Sequence, residues 1–361
     1  LNPHPEVEGT EGALPKMMRR AVFVGPGQIT LETVPVPEPA PDQVLIEVRA
    51  VGLCTMEQRF YKGSGPYPFL GGHEIAGVVR ARGSAVMSEA REGDLVTVAQ
   101  LTRCGECYFC RRGLDHLCVH ADDRPAEGVA WGPGGLADFI LVRGYEVYRL
   151  SPEVRPEEGC LTEPLACCIR SMGRADIRFG DTVLVTGAGI MGLLHVKLAK
   201  LRGARVIVSE PSATRRSAAK AHGADLTVDP TTESMVDFVR AQTDGRGAEA
   251  VFYTAGGPRT VEDCIRATVK GGTVVLYGST HPDPNVTLNA NNVHYDEITV
   301  TGTYRQDRES FREAARLISL REVDLRPFVS AIVPLSELDR GFKLASDPGN
   351  YRVIVLPGAG E

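Results

Sequence analysis

Four cysteines stand close together in the chain: Cys104, Cys107, Cys110 and Cys118. Four thiolates at such short separations suit a closed tetrahedral zinc site, with zinc–sulfur distances of about 2.3 Å. Such a site leaves no position for water, so the metal would be structural. The alternatives are a disulfide pair or four unligated thiols. The chain has nine cysteines. An odd number, with four in one short stretch, argues for metal ligands over a disulfide framework, and so for a reducing compartment, the cytoplasm. Cys160, Cys167, Cys168 and Cys264 read as small apolar core residues. Cys54, His73 and Glu74 are candidate ligands for a second zinc, since its ligands are thiolate, imidazole and carboxylate. Alone this group is weak, because a lone Cys, or a His beside an apolar strand, is more often structural. Gly71 and Gly72, just ahead of His73, would let a substrate or cofactor come close.

A third constellation is Gly187-Ala188-Gly189-Ile190-Met191-Gly192. Such a glycine pattern carries information when it follows a strand and opens a helix. Here the apolar run Thr182–Thr186 precedes it, and Ile190–Leu201 has apolar residues at helical spacing. Missing side chains let the backbone approach a pyrophosphate, and the helix N-terminus offers it free N–H groups. An acidic residue is expected roughly 20 residues on, at the end of the next strand. Glu210 stands there, after Arg205–Ser209. Its carboxylate would accept the ribose hydroxyls of NAD and repel the 2′-phosphate of NADP, while Arg215 and Arg216 could accommodate that phosphate. NAD is the expected cofactor and NADP the alternative. Thr254 is counted with the cofactor residues.

The elements that must position these groups fall into two kinds. Segments such as Arg20–Val24, Gln43–Val51, His73–Arg82, Asp94–Ala99 and Ala137–Val142 are short and strand-like, punctuated by Pro and Gly, which suggests a barrel-like or sandwich-like domain. From about residue 160 strands and helices alternate, the signature of a parallel sheet covered by helices. The fold class is therefore α/β with a β-rich partner domain. The 361 residues suit about two domains, and at 43% apolar they can build sizeable cores. A net charge of −6 with no basic stripe speaks against nucleic acid or an anionic membrane as partner. No apolar run is long enough to span a bilayer. Residues 1–16 are expected to be a mobile leader.

The order of these motifs resembles one family. Cys54, Gly72-His73-Glu74, the four-cysteine lobe, Glu163-Pro164-Leu165 and the glycine turn resemble the zinc-containing medium-chain dehydrogenases, and among them the sorbitol, threonine and glucose dehydrogenase branch. The likeness runs from about Met17 to Pro357. It is strongest in Asp181–Asp225 and Gly134-Gly135-Leu136-Ala137-Asp138. It implies a GroES-like catalytic domain from residues 17–164 and 305–361, with the structural zinc lobe at 100–120. A Rossmann domain, 165–304, would be inserted between, with the active cleft at their junction. It implies catalytic-zinc ligation by Cys54, His73 and Glu74. Glu163 would be a further ligand or the carboxylate that holds the zinc-bound water. Arg305 matches an arginine near substrate and cofactor in the polyol branch, or is a surface arginine near a helix start. Relatives form dimers or tetramers.

The implied reaction is oxidation of a secondary alcohol by NAD(P), or its reverse, on a small polar, hydroxylated substrate. One feature departs from the family pattern. Relatives place a Ser or Thr two residues after the zinc cysteine to relay the proton, and often a His five residues after it. This chain has Met56 and Arg59, and neither can do that work. Glu163 or Glu57 could take the proton through water, a bulged turn could bring Thr55 to the substrate, or the reaction could be reduction of a C=C or C=N bond. A nucleotide-binding scaffold without turnover is the non-enzymatic alternative.

Overall fold

The computed structural model describes residues 13–121, 123, 125–279 and 285–358. The leader expectation therefore lies outside the described residues as far as position 12. The chain divides into two compact units, 1–163 with 315–361, and 164–314.

The first unit is built on a seven-stranded sheet. Gln43–Gly52 pairs antiparallel with Glu74–Arg82 in a register that sets Gly52 opposite Glu74. Phe139–Arg143 and the last strand, Arg352–Leu356, also pair with Gln43–Gly52, so the chain's C-terminal stretch returns to a strand laid down near its start. Antiparallel strands with two-residue alternation cover a core that includes Phe23, Ile46, Val48, Phe69, Val96 and Phe342. Phe69 stacks on Phe60 at 3.8 Å between ring centroids and meets Trp131 edge-on at 5.1 Å. This aromatic cluster anchors the loop that runs into Gly71-Gly72-His73. Gly72 has φ +97°. A Cβ there would come within 2.5 Å of the Leu136 amide nitrogen, so the turn before His73 requires glycine.

The second unit is a six-stranded sheet in the order 226–228, 205–209, 182–186, 248–253, 268–276, 299–302, every pair parallel. Chain order reverses beside Thr182–Thr186, whose neighbours lead in opposite directions. Such a switch point opens a crevice at the carboxyl ends of the strands, which is where ligands bind in doubly wound folds. Both unit architectures match those expected. Residues 305–314, expected with the catalytic domain, group instead with the parallel-sheet unit. The bonds explain this. Arg170, on the helix Thr162–Met172, donates to Thr303 Oγ1 (2.8 Å) and pairs with Asp307 (3.3 Å), and Cys167 donates to Gln306 Oε1. Among the described residues no helix is long and apolar enough to cross a membrane.

Candidate active site

The lobe cysteines converge, the four sulfurs lying within 4.8 Å of one another. Cys118 Sγ lies 3.7 Å from Cys104 Sγ and 4.0 Å from Cys107 Sγ. Four thiolates about 2.3 Å from a tetrahedral zinc must be about 3.8 Å apart, so the donor set fits that ion. The backbone wraps to serve the sulfurs. N–H groups of Glu106 and Cys107 donate to Cys104 Sγ, that of Cys104 to Cys118 Sγ, and that of Cys110 to Cys107 Sγ. The N–H of Cys110, with other bonds, brings the Cys107 thiol down to about 6, whereas burial pushes Cys110 up to about 12. A cation is what holds such a sulfur deprotonated. All nine cysteines are free of disulfides.

The catalytic candidates meet at one end of the antiparallel pair. The chain leaves Gln43–Gly52, and Cys54 caps the short helix Thr55–Tyr61. The Gly52–Glu74 register brings His73 and Glu74 to the same place. Two donor groups result, Cys54 with Glu57 and His73, and His73 with Glu74 and Glu163, each within 4.8 Å. They share His73. Glu57 Oε1 lies 2.7 Å from His73 Nδ1 and accepts from the Gly72 N–H (3.0 Å), and Oε2 accepts from the Cys54 N–H (3.2 Å). A histidine held at Nδ1 by a carboxylate presents Nε2 to a metal. Glu57 is thus a buried positioning group, with no uncommitted oxygen for the substrate proton it was expected to take. The spacing of Glu57 from Cys54, which also closes a capping box, was a signal in the sequence for this role.

Glu74 is fully buried, and Arg352 faces it at 2.8 Å with only 4% of its side chain exposed. Arg352 also donates to Leu53 O. Burial pushes Glu74 up to about 7, against the opposing charges of Arg352 and His73. Its Oε2 is buried and has no hydrogen-bond partner. An oxygen in that state, beside an imidazole and a second carboxylate, fits a zinc ligand. Arg352 was missed at the sequence level, where an arginine opening the apolar run Val353–Leu356 was the available signal. Glu163 is 9% exposed. Thr55 is exposed, and Met56 is partly buried against the core. Gln58 N–H bonds Cys54 O at 3.2 Å, an ordinary first turn with no bulge to redirect Thr55. Arg59 is exposed.

In the second unit the glycine turn has the geometry its sequence suggests. Gly187 has φ +88°, and a Cβ on Gly192 would lie 2.0 Å from Gly187 O. Gly189 caps the helix Ile190–Leu201 without a side-chain bond, and a Cβ on it would meet only the Arg215 guanidinium, at 4.0 Å. The first-turn N–H groups near Ile190 and Met191 are thereby left for an anion, and the turn fits a dinucleotide pyrophosphate. Beside it a cavity of about 570 Å³ is lined by Gly187, Glu210 and Arg215 among others. Thr254 lies behind the turn, donating from Oγ1 to Thr186 O at 2.6 Å, and does not line this cavity. Arg305 adopts φ +63° and stacks over Tyr304 at 4.8 Å, in the loop that Arg170 and Cys167 fasten. Those two clamps were also missed, since nothing in the sequence pairs the two segments.

The comparisons agree with this geometry. Residues 40–152 match the alcohol dehydrogenase GroES-like domain, and residues 191–319 match the zinc-binding dehydrogenase domain. An L-threonine 3-dehydrogenase of Pyrococcus horikoshii is 34% identical over 83% of this chain and 86% of its own length. A sorbitol dehydrogenase of Bacillus subtilis is 31% identical over 95% of this chain and 98% of its own. A chain from Sinorhizobium meliloti, solved with NADP bound, superposes with a TM-score of 0.86 at 31% identity, covering 95% of this chain and all of that one. The chain belongs to the zinc-containing medium-chain dehydrogenase family, and it is a zinc-dependent, nicotinamide-linked oxidoreductase.

Two measurements test the metal centres. Cys110→Ser should lower zinc content by about one ion per chain, with a lower melting temperature. A variant that keeps its full zinc content would remove the lobe from the metal sites. The second concerns pH. Burial opposes charge on the His73 ring, but Glu57 and Cys54 outweigh it and raise the metal-free pKa well above 6.5. Zinc must displace that proton, and the one Glu74 carries below about 7. Glu57, where burial is outweighed by His73, stays below its ordinary 4.5 and releases none. Apparent zinc affinity should therefore fall as pH drops through neutrality, each displaced proton contributing about tenfold per unit. A chelator-competition titration that is flat over this range would exclude His73 as a ligand.

Proposed function

We propose that the chain oxidises a secondary alcohol in a small polar substrate (a polyol, sugar, cyclitol or amino-alcohol) to a ketone, or runs the reverse reduction. The observation that carries this reading is the buried, unsatisfied Glu74 oxygen grouped with His73 and Glu163, where His73 also meets Cys54, within a family whose chemistry is hydride transfer. At this set zinc supplies Lewis acidity to the reacting oxygen, and the nicotinamide exchanges the hydride. The chain's own residues do the rest. Glu57 fixes the His73 tautomer, and Arg352 balances Glu74. Glu163 takes the hydroxyl proton through water. This assignment is supported by elimination, since Met56 packs into the core, Thr55 follows a regular cap, and Glu57 has both oxygens bonded.

Met56 also favours a second reading, reduction of a C=C or C=N bond, where no hydroxyl proton needs relaying. Zinc-loaded protein supplied with NAD or NADP and a panel of polyols, aldoses, cyclitols and amino-alcohols decides between them. Saturable turnover of one class is expected, and Glu163→Gln should lower kcat by about 10²–10⁴-fold with zinc retained. An unchanged rate at unchanged zinc content would exclude Glu163. Silence across the panel, with cofactor deuteride arriving at an alkene or imine carbon, would replace the first reading with the second.

The nine free thiols support a reducing compartment, the cytoplasm. A homodimer or homotetramer is supported by the edge strand Thr299–Gly302, mostly exposed, with Val300 on it and Tyr304 two residues beyond both exposed. An open edge of this kind invites pairing. Light scattering should give a multiple of 38.9 kDa for the wild type and a smaller assembly for Val300→Asp. A monomeric wild type would overturn the assembly.

A further inference from the structure

One polar side chain lies on the buried face of the helix that the glycine turn opens. Every other buried position of Ile190–Leu201 is apolar or glycine, yet His195 stands among them with 0% exposure. Both of its ring nitrogens are used. Nδ1 lies 2.7 Å from Met191 O, and Nε2 lies 2.9 Å from the Oγ of Ser171, which is also fully buried. A carbonyl can only accept, so Nδ1 carries the proton and Nε2 accepts from the Ser171 hydroxyl. Burial takes the ring down to about 4, against the pull of the Met191 bond. The ring therefore stays neutral and both bonds keep their direction. It meets Phe252, near the end of Ala248–Tyr253, and Tyr277, just past Thr268–Leu276, at 4.9 Å each. These bonds join two helices with different tasks. Met191 belongs to the turn that fits the pyrophosphate, and Cys168 also donates to its carbonyl (3.6 Å). Ser171 and Cys168 belong to Thr162–Met172, whose first turn carries Glu163. That helix is fastened in turn to residues 303–307 through Arg170 and Cys167. An apolar side chain could fill the place of His195. Only directional bonds at both nitrogens set how far one helix slides along the other.

We infer that His195 is a positioning residue for hydride transfer, holding the dinucleotide turn in register with the helix that presents Glu163. The inference rests on the proposed dehydrogenase function and adds a residue that acts through Met191 and Ser171. Hydride transfer is sensitive to such placement, since a shift of about 1 Å in the reacting partners lowers a rate by about 10²-fold.

Single-turnover stopped flow tests it, on zinc-loaded protein saturated with reduced dinucleotide and mixed with the ketone of the panel alcohol turned over best. Dinucleotide deuterated at C4 slows the observed step and so identifies it as hydride transfer. His195→Leu keeps most of the volume and removes both bonds. It should slow this step by about 10- to 100-fold, with zinc content unchanged and the NADH dissociation constant altered by less than about threefold. Ser171→Ala removes only the bond between the helices. It should slow the step by about three- to tenfold, and it carries the test if His195→Leu does not fold. A merely structural role would lower the melting temperature of both variants and leave hydride transfer at the wild-type rate, a result that would overturn the inference. Weakened NADH binding with an unchanged rate at saturation would do the same. A wild type that transfers hydride to no ketone of the panel would overturn the proposed function, and this inference with it.

Discussion

A fully buried carboxylate sets the terms for the catalytic unit. Glu74 has no exposed surface, and an isolated charge in such a place costs several kcal/mol. Two things make it tolerable. Arg352 arrives from the last strand to face it at 2.8 Å, and a metal can occupy the oxygen that Arg352 leaves unsatisfied. The first requirement explains the chain path. A guanidinium can reach this point only if the C-terminal strand lies beside Gln43–Gly52, so the unit must be closed by the two ends of the chain with the other unit inserted between them. The pairing of the last strand with Gln43–Gly52 and the buried arginine are one solution to one electrostatic problem.

The two metal centres solve a different problem by different means. In the lobe the donors are local, drawn from fifteen consecutive positions, 104–118, and backbone N–H groups crowd around the sulfurs. Such a site encloses its ion and leaves nothing for a substrate. The other centre draws its donors from three distant segments, at Cys54, His73–Glu74 and Glu163. Its imidazole is held from behind by Glu57, and its carboxylates are balanced rather than saturated. That difference, closed against adjustable, separates a structural role from a catalytic one more firmly than ligand identity does.

What could be read in the sequence follows the same division. The cysteine lobe and the glycine turn were legible because their chemistry is local: the spacing is the geometry. Both unit architectures were legible because alternation and helical period are repeated many times. The resemblance then supplied the distant ligands as an ordered set. Interactions between segments that no spacing connects were not legible. Arg352 with Glu74, Arg170 with Thr303 and Asp307, and Cys167 with Gln306 depend on which strands and helices become neighbours, and this is why residues 305–314 were expected in the other unit. Glu57 was seen but misread, since its role depends on where His73 comes to lie. The hydroxyl of Thr254, counted with the cofactor residues, bonds Thr186 O behind the turn, a contact no spacing announces.

The departure at Met56 gains meaning from this frame. A hydroxyl at that position would sit on a short helix whose first turn is already fixed by Cys54 and Glu57, so it could be lost without disturbing the metal centre. The thioether instead joins the core beneath the helix, which trades a proton path for packing. Glu57 cannot compensate, because moving either oxygen would release His73 or the Cys54 N–H and loosen the centre it supports. Of the carboxylates gathered here, Glu163 is the one that retains some exposure, which is the reason the proposed proton path runs through it. The bonds that steady His73 are therefore the same ones that keep Glu57 out of any proton transfer.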